Sequence, residues 1–238
     1  MKKISVCIPT YNGGNYIAGQ IQSILEQLAD HDEIIVSDDS SSDETIEIIE
    51  GFSDIRIVLL KNNNFRSPIY NLENAIKRAT GDIIILADQD DIWLPGRVAL
   101  IVNELDKCDL TMTDAFIVDE MLKHTGKTVF QVLGANTGFI SNLIRNKFVG
   151  CCMAFNKIIK SDILPFPKNL PMHDQWIALI SSLYYSINLI DEPTLLYRRH
   201  GANASSTGDK SSNSFFTKFK YRFKITNALF WHSIYRKG

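Results

Sequence analysis

The sequence predicts an α/β domain, a mostly parallel, doubly wound sheet flanked by helices. Strand-like and helix-like segments alternate four times in about the first hundred residues, the pattern of strand-helix-strand crossovers. Residues 83–87, Ile-Ile-Ile-Leu-Ala, lack polar alternation, which suits a strand covered by helices on both faces. Polar turns follow the first, second and fourth strands, and in such sheets ligands bind at the carboxyl ends of strands, near the point where strand order reverses.

Residues 4–8 read as the first strand, ended by Pro9-Thr10-Tyr11-Asn12-Gly13-Gly14, a run of residues that break regular structure. A helix is expected from about Asn15, with Ile17, Ile21, Ile24, Leu25 and Leu28 on one face. Residues 33–37 give the second strand. Ser41 and Glu44 then have capping-box spacing for a helix carrying Ile46, Ile49 and Phe52. Residues 55–60 are the third strand, 69–80 a helix closed by Gly81, and 83–87 the fourth strand. Pro95 at a first helical position opens a helix with Val98, Ile101, Val102 and Leu105 inward. Beyond residue 108 the pattern loosens. Strands are expected at 110–118, 148–155, 187–190 and 194–197, with a turn at 123–127 and a short helix at 139–144. A further helix starts near Met172, with Trp176, Leu179, Ile180 and Leu183 on its packed face.

A chain of 238 residues, 45% hydrophobic, can bury a substantial core. Its formal charge of -2 conceals an asymmetry: residues 210–238 hold seven of the 25 Lys and Arg and none of the 27 acids. The acidic body argues against a nucleic-acid partner. Cys7, Cys108, Cys151 and Cys152 show no C-x-x-C spacing and read as reduced core thiols of a cytosolic protein, the last two on opposite faces of a strand. The N-terminal apolar stretch is too short for a secretory signal and is interrupted by Pro9. No apolar run approaches the roughly 20 residues that span a bilayer. Neither G-x-G-x-x-G nor G-x-x-x-x-G-K-[ST] occurs, so a dinucleotide cofactor or a P-loop has no support.

The chemistry concentrates after the fourth strand, where Asp88, Asp90 and Asp91 crowd together. Carboxylates so placed repel one another unless a cation lies between them. Hard divalent ions such as Mg²⁺ or Mn²⁺ prefer carboxylate oxygen and in nucleotide chemistry share it with a diphosphate. The alternative is a solvated turn with an acidic helix cap.

Three blocks of residues resemble family 2 glycosyltransferases of the GT-A fold: Val6-Cys7-Ile8-Pro9-Thr10-Tyr11-Asn12, Ile35-Val36-Ser37-Asp38-Asp39-Ser40-Ser41-Ser42-Asp43, and Thr80-Gly81-Asp82-Ile83 running into Asp88-Gln89-Asp90-Asp91-Ile92-Trp93. The likeness covers roughly residues 4–108, with thinner matches at His173-Asp174 and Tyr197-Arg198-Arg199-His200. It implies transfer of a sugar, with inversion, from a UDP- or dTDP-sugar to a hydroxyl of a saccharide acceptor. It places Pro9 and Tyr11 against the base and Asp39 as acceptor of the base imide hydrogen bond. Asp88 falls near the ribose, with Gln89 and Arg66 counted among the nucleotide-sugar contacts; Arg66, like Arg198, could approach phosphate or equally be a surface charge. Asp90 would hold a Mn²⁺ or Mg²⁺ ion bridging the diphosphate, with His200 as a further ligand, and Asp174 would be the general base. His173 departs from the acidic residue that usually precedes that base.

These residue types suit the reaction, because a divalent ion stabilises the charge on a departing diphosphate and a carboxylate takes the proton of an attacking alcohol. The Asp-Gln-Asp-Asp-Ile-Trp form resembles members that assemble O-antigen or capsule. That implies a lipid-linked acceptor and a cytoplasmic enzyme, peripheral at the inner face of the plasma membrane. Residues 1–108 would then be the nucleotide-sugar-binding half, 109–204 the acceptor-binding and catalytic half of the same domain, and 205–238 a linker and basic aromatic C-terminal helix.

Structural readings stand beside these. Asp39 and Asp174 could each serve a helix cap, His200 could be a solvated side chain beside Arg198 and Arg199, and Trp93 and Trp176 could be packing residues. The tail, with Phe215, Phe216, Phe219, Tyr221 and Phe223 interleaved with Lys218, Lys220, Arg222 and Lys224, suits an anionic leaflet or packing on its own domain. A non-catalytic sugar-nucleotide-binding scaffold subunit is the alternative function. A metal-dependent phosphatase ranks last, since its nucleophilic Asp would follow the first strand, where Pro9-Thr10-Tyr11 stand.

Overall fold

A computed structural model describes residues 2–201 and 215–236. Its first half alternates as expected: β1 (Ile4–Thr10), α1 (Ile17–Leu25), β2 (Glu33–Asp38), α2 (Thr45–Gly51), β3 (Ile57–Leu60), α3 (Pro68–Arg78) and β4 (Ile83–Leu86). There follow β5 (Ile92–Trp93), α4 (Arg97–Glu104), β6 (Leu110–Val118), β7 (His124–Thr128), α5 (Val129–Leu133) and α6 (Phe139–Ile144). The chain ends in β8 (Met153–Asn156), α7 (Lys160–Ile163), α8 (His173–Tyr184), β9 (Ile187–Arg198) and α9 (Phe215–Tyr235).

The sheet runs β3-β2-β1-β4-β8-β6-β9-β5, with β7 added to β6. β1 pairs in parallel with both β2 and β4. The chain therefore enters at the middle, steps outward through β2 and β3, and returns on the other side of β1. Strand order reverses between β1 and β4, which opens a crevice at their carboxyl ends. β8 lies antiparallel to β4 and β6, and β9 runs parallel to β6 and antiparallel to β5. Val6, Ile8, Ile35, Ile84, Met112 and Phe155 are buried on the strands, and Ile17, Ile21, Leu72, Ile76, Trp176 and Ile180 are buried on the helices. They belong to a single hydrophobic core that reaches Ile225 and Leu229 of α9.

Several local expectations are corrected. Ser41 does not cap α2; its hydroxyl donates to Asp38, and the Thr45 amide donates instead to Asp43 at 3.2 Å. Gly81 does not close α3, whose cap residue is Ala79. A Cβ at Gly81 would lie 2.7 Å from the Ser5 nitrogen, so the glycine lets this turn press against β1. Pro95 precedes α4, which starts after Gly96 at a left-handed φ of 87°. Residues 123–127 are not a turn: 124–127 lie in β7, an exposed edge strand whose His-Thr-Gly-Lys-Thr has no apolar residue to announce it.

Within 148–155, Gly150–Cys152 form a 3-10 turn ahead of β8, so Cys151 and Cys152 do not face opposite sides of a strand; all four cysteines are buried free thiols. The segments 187–190 and 194–197 fuse into β9, with register shifts opposite Thr113 and Asp114. Leu183 is exposed, and Ile55 lies outside β3. β5 and α5, each a few residues long, gave no periodic signal. The linker expected at 205–214 lies outside the described residues.

Candidate active site

Three turns meet at the crevice between β1 and β4. After β1, the Thr10 carbonyl accepts from Asp39 N at 3.0 Å and from Asn71 Nδ2 at 3.0 Å, while Thr10 Oγ1 donates to Asp38 Oδ2 at 3.1 Å. Asn12, at a φ of 47°, donates from its amide to Ser41 Oγ and accepts from Ser42 N, each at 2.9 Å. Gly13 and Gly14 amides donate to Thr45 Oγ1 at 2.8 Å and Asp43 Oδ2 at 3.0 Å. The first turn is thereby stitched to the second. Gln89 ties it to the third, accepting from Tyr11 N at 3.0 Å and donating to Tyr11 O at 3.3 Å. A Cβ at Gly13 would lie 2.5 Å from Gln89 Oε1, so the glycine leaves room for that clamp.

Pro9 is half-buried in β1 and Tyr11 is exposed above the crevice. Asp39 accepts from Phe65 N and from Ser67 N, which holds the 62–67 loop and brings exposed Arg66 to the same rim. A carboxylate has roughly four acceptor positions, so Asp39 retains capacity for a base N–H.

At the acidic turn, Asp90 and Asp91 are buried and Asp88 is half-buried. Loss of water around Asp88 raises its pKa, and the charges of Asp90 and Asp174 raise it further. Burial likewise pushes Asp91 up, helped by Asp90 and Asp88. Asp91 Oδ1 accepts from Arg198 N at 3.0 Å, while its buried Oδ2 has no hydrogen-bond partner among the described residues. Asp90 Oδ2 meets His200 Nε2 at 2.7 Å, and Arg198 Nε donates to the Asp90 carbonyl at 2.7 Å. His200 stacks on Tyr16 with ring centroids 4.8 Å apart, and Arg198 lies over the same ring at 4.9 Å.

Carboxylates raised by burial and then by one another's charge, an orphaned oxygen among them and an imidazole already on Asp90 make a donor set that fits a hard divalent cation. Asp88, Asp91 and Cys151 also offer ligand atoms within 4.8 Å of one another. The Cys151 thiol is soft, and its pKa is raised by a hydrogen bond with Cys152 and by burial, so it stays protonated there.

Asp174 enters from the other half of the chain. It is buried in the first turn of α8 and accepts from Gln175 N at 2.7 Å, while Met172 is the cap residue and makes no side-chain cap. Burial raises its pKa above the ordinary carboxylate value; His173 and a hydrogen bond from Asn146 oppose the rise. Asp174 is close enough to Asp88 for its charge to act there, which sets it beside the acidic turn. His173 occupies the space where a Cβ at Gly150 would fall, 2.6 Å from its Nε2.

Residues 5–164 match the profile of glycosyl transferase family 2. The chain belongs to that family. Over 108 residues this family 2 chain is 33% identical to an Escherichia coli protein named UDP-Glc:alpha-D-GlcNAc-diphosphoundecaprenol beta-1,3-glucosyltransferase WfgD, covering 45% of the chain and 43% of the relative. The chain thus spans under half the length of that relative. Its GT-A fold is similar to that of S. aureus TarS 1-349 in complex with UDP-GlcNAc, at a TM-score of 0.72 and 20% identity over 94% of this chain and 67% of that one. It is also similar to the mannosyltransferase PcManGT from Pyrobaculum calidifontis in complex with GDP-Man and Mn2+, at a TM-score of 0.62 and 20% identity, covering 87% and 59%.

Sequence reasoning missed Tyr16, Arg97, Asn146 and Gly150. Tyr16 stands two residues after the Pro9 to Gly14 turn, at the carboxyl edge of the sheet. Arg97 opens a helix, where the macrodipole disfavours a cation, and that misplacement was the available signal. Fully buried, it donates to Thr113 Oγ1 at 2.7 Å, to Thr194 Oγ1 and to the Cys151 carbonyl at 2.8 Å. It thereby holds the Gly150–Cys152 turn beneath the acidic cluster. Gly150 and Asn146 carried no local signal at all.

Proposed function

We propose that the protein is an inverting, metal-dependent glycosyltransferase. It moves a sugar from a UDP- or dTDP-sugar to a hydroxyl of a lipid-linked saccharide during synthesis of a bacterial surface polysaccharide such as O-antigen or capsule. The observation that carries this reading is the meeting of the Asp39 loop, the Asp90–His200 pair and Asp174 at one strand-order reversal. The relative's printed name, with its UDP-Glc donor and diphosphoundecaprenol-linked acceptor, supports the substrate classes.

In this reading Pro9, Tyr11 and Asp39 receive the base, and Arg66 stands at the phosphate side. Gln89 acts by holding Tyr11. Asp88 stands near the ribose, and Asp90 and His200 would hold Mn²⁺ or Mg²⁺, which when bound supplies Lewis-acid neutralisation of the departing diphosphate. Asp174 takes the proton of the acceptor hydroxyl, and its burial gives it more basicity than a solvated carboxylate. Attack by that hydroxyl forms the new glycosidic bond as the bond to the diphosphate breaks. No covalent intermediate with the protein is needed.

The test is release of nucleoside diphosphate by the purified chain offered UDP- and dTDP-sugars with Mn²⁺ or Mg²⁺. Release that requires the ion and disappears in Asp90→Ala is expected. Donor binding without turnover in the presence of acceptor would make the protein a scaffold, and inorganic phosphate as product would overturn the transferase reading.

A further inference from the structure

Helix α9 carries two apolar faces, and the domain uses one. Ile225 and Leu229, one turn apart, are buried against the body. His232 Nε2 lies 2.8 Å from the Asp162 carbonyl, and Arg236 pairs with the Asp162 carboxylate at 2.8 Å, which locks that face down. Phe223, Phe230 and Ile234 are 64%, 60% and 45% exposed. With 3.6 residues per turn, these three fall within about 40° of one another, on the side of the helix away from Ile225 and Leu229. Trp231 and Lys220 border this outer stripe and are exposed too. Helix α6 adds Ile140 and Ile144, also one turn apart and exposed. Arg222 donates to the Ile144 carbonyl at 3.1 and 2.9 Å, so the end of α6 abuts α9.

A run of exposed aromatic and branched side chains beside one another marks a surface that meets a partner. Charge selects among partners. Residues 210–238 contain no acid and seven bases, of which Arg236 is paired with Asp162, and α6 ends on exposed Arg145. Two copies joined through this face would set one basic edge against another, at a repulsive cost. An anionic leaflet neutralises the bases while the aromatics enter its headgroup region, and it repels the acidic remainder of the body, which fixes one orientation.

We infer that α6 and α9 together form a docking face for an anionic lipid bilayer, held alongside the acceptor side of the site. This deepens the lipid-linked-acceptor reading and rests on it. The connection to the site is short. Asn146, two residues beyond Ile144, is near enough to the Asp174 carboxylate to lower its pKa, and its Nδ2 approaches Met172 Sδ at 3.9 Å. A bilayer under α6 therefore lies next to the segment that carries the base, where a polyprenyl-diphosphate-linked hydroxyl is presented from the membrane plane.

The experiment is flotation of the full chain with phosphatidylglycerol–phosphatidylethanolamine vesicles, with neither sugar nucleotide nor acceptor present. Binding is expected, at least about tenfold stronger than to phosphatidylcholine vesicles. Of the three tryptophans, Trp93 and Trp176 are buried, so a blue shift of emission on binding reports Trp231. The double variant Phe230→Ser, Ile234→Ser should keep its Tm and its donor hydrolysis while partition falls about tenfold or more. Wild-type partition no greater than the variant's, or equal binding to neutral vesicles, overturns the inference. So does a dimer in sedimentation velocity that the same substitutions abolish, since a second copy would then own the face. Failure of flotation leaves nucleotide release untouched, and failure of nucleotide release leaves flotation untouched, so the two readings fail separately.

Discussion

At Asp174 the side chain is buried in the first turn of a helix without acting as its cap, and burial lifts its pKa. In the proposed reaction Asp174 must be ionised to take the acceptor's proton, so activity is expected above its raised pKa and is expected to be lost as pH falls through it. The acid limb of the rate profile is expected above the ordinary aspartate value of about 3.9. Asp174→Asn should cost roughly 10²–10⁴-fold in kcat and remove that limb, while nucleotide affinity measured by titration stays within about twofold. Burial depresses the pKa of neighbouring His173, so the imidazole is neutral near pH 7 and does not hold Asp174 in a fixed ion pair. The individual carboxylates were legible in the sequence because each follows an apolar strand or precedes a helix. The groups that support them were not, since Arg97 reaches Thr194 and Cys151 only after the chain has folded.

Elements followed the same division. Strands covered on both faces, β1, β2 and β4, announced themselves as apolar runs, whereas exposed β7 did not. Turn chemistry was harder to read, because Ser41 and Gly81 fit local motifs yet serve tertiary contacts. Gly81 and Gly150 distinguish the two ways in which a glycine can be needed. Gly81→Ala places a Cβ against the main chain of Ser5 and of Lys3, which cannot retreat, and should cost about 1–3 kcal/mol in chemical denaturation. Gly150→Ala meets the far end of the His173 ring, which can swing aside. Its stability is expected to change by under about 1 kcal/mol, while turnover falls through displacement of the α8 start.

Across the whole molecule, the sheet edge opposite the site is pinned by one carboxylate. Glu33, buried at the start of β2, accepts from Ser5 Oγ at 2.5 Å, from Thr80 N at 2.8 Å and from Lys3 Nζ at 3.0 Å, which joins three segments. Burial works to raise its pKa, but these hydrogen bonds outweigh it and hold the group down to about 2. Because the folded value lies below the ordinary 4.5, the stabilisation is complete above that pH and is lost as pH falls toward about 2. Glu33→Gln should lower unfolding free energy at pH 7 by roughly 1–3 kcal/mol and flatten the decline between pH 4.5 and 2 in denaturant titrations. The alternation that builds the sheet's parallel side was readable from spacing. The arrangement of β8, β6 and β9 was not, because nothing local specifies which strand inserts between two others. That insertion brings Arg198 and His200 to the acidic turn, and His200 stands 110 positions downstream of its partner Asp90. A ribosome that has delivered every acidic residue of that corner has still not supplied the imidazole, so the Asp90–His200 pair can form only once translation has passed through nearly the whole body.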